Sequence, residues 1–99
     1  MWMLRTPEDA KQPFMFRIIP GKVKTIGRAP RADFIVDAAL VSRLHCRLAA
    51  GAGEIEAVDL ESTNGTYVNG ERVARGTLKD GDTLRVGTVE FLVMKTSSQ

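Results

Sequence analysis

Apolar and polar positions alternate in short runs along this 99-residue chain. In FMFRII, residues 14–19, Phe14, Phe16 and Ile18 fall on one side, and Met15, Arg17 and Ile19 on the other. A period of two is that of a strand, in which successive side chains point to opposite faces. MWML at the start, KVKTIG (22–27), DFIV (33–36), HCRLAA (45–50) and EIEAVDL (54–60) read as strands too. So do TYVNG (66–70), RVA (72–74), DTLRVG (82–87) and VEFLVMK (89–95). Turn formers separate these runs: Pro20–Gly21, GAG at 51–53 and KDGD at 79–82. RTPEDAKQP reads as a polar loop after the first strand, and no segment carries a convincing 3.6-residue period. Short strands with frequent turns predict an antiparallel β-sandwich. The length predicts one domain over 1–99, with its core at about 2–95 and a tail or linker start at 96–99.

Composition narrows the function classes. At 43% hydrophobic and 26% charged, the chain has the make-up of a globular domain rather than a disordered one. No apolar run approaches the ~18 residues of a membrane helix, and the N-terminus lacks the pattern of a secretory signal. Cys46 and His45 are the only residues of their kinds, too few for an internal disulfide or a structural zinc site. No metal, cofactor or membrane contact is expected, and an intracellular, cytoplasmic setting is. The net charge is +2, with signs interspersed as in GERVARGTLKDGD. Aromatic residues are few and not interleaved with basic ones, so nucleic acid is not an expected partner.

Four short motifs carry candidate chemistry: IGR (26–28), SRLH (42–45), STNGT (62–66) and Asn69–Gly70. All fall at strand ends or in predicted loops, where binding groups gather on a rigid scaffold. Ser42 and His45 invite comparison with a nucleophile and its base. Yet the serine lacks a GxSxG elbow, and no carboxylate at a supporting distance in sequence orients the histidine. The expectation is a binding module and not an enzyme.

A Gly-Arg pair, Ser-x-x-His fourteen residues on, Thr-Asn-Gly-Thr and Asn-Gly, on a background of strands, resemble the forkhead-associated (FHA) domain from Trp2 to about Lys95. The resemblance implies a sandwich of about eleven strands that binds phosphothreonine peptides through loops at one end. It implies that Arg28, Ser42 and Arg43 hold the phosphate, with both the hydroxyl and the backbone N–H of Ser42 taking part. It places Thr63 in the phosphothreonine pocket and Asn64 on the peptide backbone. Gly27, His45, Gly65, Asn69 and Gly70 would support the site, His45 as a brace between loops. A doubly ionised phosphate suits such a set, because a guanidinium fork offers paired, charge-assisted hydrogen bonds. The implied partner is a phosphothreonine-containing protein, a Ser/Thr kinase or its substrate. Arg31, Arg43 and Arg72 could favour an acidic residue beyond the phosphothreonine. The alternative is a phospho-independent scaffold that uses a sheet face. The chain is expected to be monomeric unless Thr6, followed by Pro7, Glu8 and Asp9, is phosphorylated and captured by another copy.

Overall fold

The computed structural model describes residues 1–96. They form eleven strands: β1 (Trp2–Arg5), β2 (Met15–Ile18), β3 (Val23–Gly27), β4 (Phe34–Ile35), β5 (Cys46–Ala50), β6 (Ile55–Asp59), β7 (Thr66–Val68), β8 (Glu71–Val73), β9 (Arg75–Leu78), β10 (Thr83–Val86) and β11 (Val89–Lys95). A six-stranded sheet runs β2-β1-β11-β10-β7-β8, and a five-stranded sheet β4-β3-β5-β6-β9. The inward-facing halves of the alternating runs pack between them, with Trp2, Leu4, Phe91 and Val93 from one sheet and Ile26, Leu48, Ile55 and Leu78 from the other. Each such side chain contributes about 1.5–3 kcal/mol by leaving water. Phe16 stacks on Phe34 across the sandwich at 4.5 Å between ring centroids. The Trp2 indole N–H donates to the Gly51 carbonyl at 2.9 Å, pinning β1 to the β5–β6 hairpin.

Ten of the strands follow the alternating runs; β9 does not, because RGTL holds a glycine and a single buried apolar side chain, Leu78. One pairing departs from the antiparallel expectation: β3 and β4 run parallel, Ile26 beside Phe34 and Gly27 beside Ile35. The short loop between them doubles back because Thr25 and Asp33 clasp each other. The Thr25 amide donates to Asp33 Oδ2 at 2.9 Å, and the Asp33 amide donates to Thr25 Oγ1 at 3.1 Å.

Thr96 donates its amide to the Met1 carbonyl at 2.8 Å, and the remaining positions of the expected tail, 97–99, lie outside the described residues. Thr6 is buried, its amide donating to Phe14 O at 3.1 Å and its Oγ1 accepting from the Phe14 amide at 2.9 Å. It is a fixed corner of the β1–β2 connection. Phosphorylation of Thr6 would therefore require this loop to open.

Candidate binding groove at the end of the sandwich

Three loops meet at one end of the two sheets: 28–33 after β3, 36–45 before β5, and 60–65 before β7. They enclose an open groove of about 590 Å³ whose lining includes Arg28, Ser42, Thr63 and Asn64. These four come from sequence-distant loops, and the fold brings them onto one surface. Arg43 lies outside this lining. It shares a neighbouring hollow of about 440 Å³ with Ala29, Pro30, Arg31 and Leu44.

Gly27 sets the position of Arg28. Its backbone dihedrals are open to any residue, so freedom of rotation is not why glycine stands here. A Cβ would overlap the Arg43 carbonyl oxygen and lie 2.9 Å from Leu44 Cα. Glycine lets β3 press against the 42–44 turn, so that the Arg28 amide donates to Ser42 O at 3.0 Å and the Ala29 amide to Arg43 O at 3.0 Å. The Arg28 Nε donates to Val41 O at 3.1 Å. Neither terminal nitrogen of this exposed guanidinium has a partner among the described residues.

His45 is fully buried and joins two loops. Its Nδ1 accepts from the Ser42 amide at 3.1 Å, and its Nε2 is 2.8 Å from the Gly65 carbonyl. A carbonyl only accepts and an amide N–H only donates, so the ring is neutral with its proton on Nε2. Both nitrogens are occupied, and neither faces the Ser42 hydroxyl, so the pair is not a nucleophile with its base. The Ser42 N–H, expected to reach the phosphate, is instead spent on His45. The next amide, that of Arg43, has no partner among the described residues. Ser42 Oγ accepts from the Thr63 amide at 3.1 Å, which leaves its own proton to donate into the groove.

Beneath Thr63 and Asn64 lies a polar cluster that the motifs did not announce. Asp59 Oδ1 accepts from the Ser62 hydroxyl at 2.5 Å and the Thr66 hydroxyl at 2.7 Å, and Oδ2 accepts from the Ser62 amide at 3.1 Å. Ser62 Oγ in turn accepts from the Gly65 amide at 3.0 Å. Burial pushes the Asp59 carboxyl up, but the hydrogen bonds from the Ser62 hydroxyl, the Thr66 hydroxyl and the Ser62 amide together hold it below its ordinary value. Gly65, at φ +91°, turns the chain so that its carbonyl meets His45 while Arg72 lies across its Cα face. Asn69 and Gly70 stand further off, forming the β7–β8 turn with φ +50° and +84°.

The opposite wall was also unforeseen. Gln12, Asp37, Ala38, Ala39, Leu40 and Val41 complete the lining. Leu40 adopts φ +68°, unusual for a bulky residue, and leaves its side chain 57% exposed. Asn64 Nδ2 donates to its carbonyl at 3.2 Å, and Gly87 fits against it where a Cβ would be 2.7 Å away. An apolar residue beside a polar motif, outside any alternating run, was the one signal in sequence. Cys46 lies behind the site, fully buried, and burial pushes its thiol up to about 12. No group of three or more potential metal ligands exists among the described residues, and no helix among them is long and apolar enough to cross a membrane.

Comparison with known proteins places this geometry. A family model described as FHA domain matches residues 24–87. The oxoglutarate dehydrogenase inhibitor of Corynebacterium efficiens is 43% identical over 70 residues, 71% of this chain and 49% of its own length. The chain thus spans about half of that relative. The crystal structure of the FHA domain of the CT664 protein from Chlamydia trachomatis superposes with a TM-score of 0.88, at 26% identity, over 97% of this chain and 98% of that one. A structure from work on phosphothreonine-dependent FHA domain interactions superposes with a TM-score of 0.81, at 31% identity, over 98% of both chains.

Proposed function

The chain belongs to the FHA domain family, and from that membership we propose that it binds phosphothreonine-containing segments of partner proteins in the groove between its loops. The observation that carries this reading is the guanidinium of Arg28. It is anchored through Nε to Val41 O, has two unpartnered terminal nitrogens, and shares one groove with the Ser42 hydroxyl. An anchored fork with free ends is suited to a tetrahedral dianion, since it loses little freedom on binding.

In this reading Arg28 and the Ser42 Oγ–H donate to the phosphate, and the unpartnered Arg43 amide donates beside them. The Arg43 side chain, in the adjoining hollow with Arg31, meets the phosphate edge or an acidic residue that follows it. Thr63 lines the pocket for the threonine methyl, a contact worth about 1–3 kcal/mol against phosphoserine. Asn64 keeps its carboxamide oxygen for the peptide backbone while its Nδ2 holds Leu40. The partner is a phosphorylated Ser/Thr kinase or a substrate of one, so the module acts where such kinases act, in the cytoplasm. It works by docking and not by catalysis, which suits a relative named as an inhibitor of an enzyme.

The test is an oriented phosphothreonine peptide library against the native chain and Arg28→Ala. Binding by the native chain that disappears on dephosphorylation, and that Arg28→Ala lacks, is expected. Equal binding of phosphorylated and unphosphorylated peptides would overturn the reading.

A further inference from the structure

The outward face of the six-stranded sheet has a composition unlike the rest of the molecule. Strand register puts Arg5, Arg17, Arg72 and Arg85 on that face together with one acidic residue, Glu90, while Glu71 of β8 falls on the opposite parity beside Val68. The whole chain carries only +2. Charges interspersed along the sequence are therefore sorted by the fold. None of these five residues is in an ion pair among the described residues; the pair present, Arg75 with Glu56, lies on the other sheet. Met3, Met15, Leu92 and Met94 fill the rows between the arginines. Met15 is 57% exposed on the edge strand β2, and the other three are half-buried.

We propose that this face is a second docking surface, which takes an acidic, apolar-containing segment of the same phosphoprotein that occupies the groove; the inference rests on the phosphothreonine reading above. Two observations select this occupant. The first is charge complementarity: unpaired arginines set among methionines match a segment rich in Asp, Glu and apolar residues, and arginine and methionine are types enriched in protein interfaces. The face holds no lysine among these positions, and its one aromatic ring, Tyr67, is covered by the Arg85 guanidinium at 3.9 Å. It therefore offers no free platform on which bases could stack, which disfavours a single-stranded nucleic acid. The second is continuity. Arg72 lies across Gly65, next to Asn64 of the groove, and Tyr67 and Arg85 follow it across the sheet. A chain leaving the groove past Asn64 meets this face directly. A shallow hollow of about 240 Å³ bordered by Arg5, Glu8, Thr83, Glu90 and Leu92 lies further along it; its two carboxylates suit an apolar side chain of the segment rather than an acidic one.

The test is a displayed peptide library with a fixed phosphothreonine segment followed by a randomised extension of about fifteen residues, long enough to cross a sheet face at ~3.3 Å per residue. The native chain is expected to select extensions rich in Asp, Glu, Leu and Phe, binding ~10-fold tighter than the phosphothreonine segment alone and losing that gain at high salt. The double variant Arg5→Glu with Arg17→Glu, and separately Met15→Asp, are expected to lose the gain while binding the short segment as the native chain does. Thermal unfolding confirms that each is folded. Binding of the short segment with no selected extension, or the same selection by both variants, would overturn this inference alone. No phosphate-dependent binding of the short segment would overturn the groove reading, and this one with it.

Discussion

Arg28 has one nitrogen fixed and two free, and this division makes charge and shape separable at the site. Arg28→Lys keeps the charge but loses the fork. We expect it to weaken phosphopeptide binding roughly tenfold or more, with an unchanged unfolding temperature, as titration calorimetry and thermal melts would show. His45 behaves differently, because it is buried and holds two loops. His45→Ala leaves the Ser42 amide and the Gly65 carbonyl without partners and opens a cavity. It should cost about 2–5 kcal/mol in denaturant unfolding and lower affinity as well. Asp59 adds a pH dependence. Its folded carboxyl sits below the ordinary value of 3.8, so the stability it contributes is present above that value and is lost as pH falls through the lowered one. Asp59→Asn should flatten the acid limb of the stability curve below about pH 4. A limb unchanged by Asp59→Asn would show that other carboxylates govern it.

Elements place these residues, and here the pattern of the sequence is informative to different depths. FMFRII and VEFLVMK announce both their strands and their inward faces, because one side of each meets the core and the other meets water. Asn69–Gly70 likewise announces a two-residue hairpin, and both residues adopt the positive φ that such a turn demands. Asn69 also accepts from the Thr83 amide at 2.9 Å. Gly70→Ala should therefore cost about 1 kcal/mol through strain at φ +84°, without touching the groove. A chemical-denaturation series that finds no loss would argue against a rigid turn. What was not legible is tertiary in origin. β9 has no alternation of its own, because a glycine packs against Val68 and Val73 where a side chain would show the pattern. Gly27 supports the site through a backbone contact with Arg43, which nothing in its local sequence reveals. The Asp59–Ser62–Thr66 cluster joins residues that are ordinary one by one and become a unit only when the loop folds back.

At the scale of the whole molecule, the sandwich is a stiff frame with its loops tied together at one end. Leu40 is held by Asn64 on one side and Gly87 on the other, and the Ala39 carbonyl accepts from Thr88 Oγ1 at 3.0 Å. The wall of the groove is thus braced by both neighbouring loops before any ligand arrives. Preorganisation of this kind lowers the ordering cost of binding. Cys46, buried behind the site with its thiol pushed up to about 12, should resist alkylation in the native state and react only on unfolding. The central claim is that the groove reads a phosphate. Its most direct measurement is isothermal titration of one library-selected peptide in phosphorylated and unphosphorylated forms into the native chain and Arg28→Ala. The account predicts heat and saturation only for the phosphorylated peptide with the native chain. Equal affinity for both peptide forms, or full binding by Arg28→Ala, would contradict it.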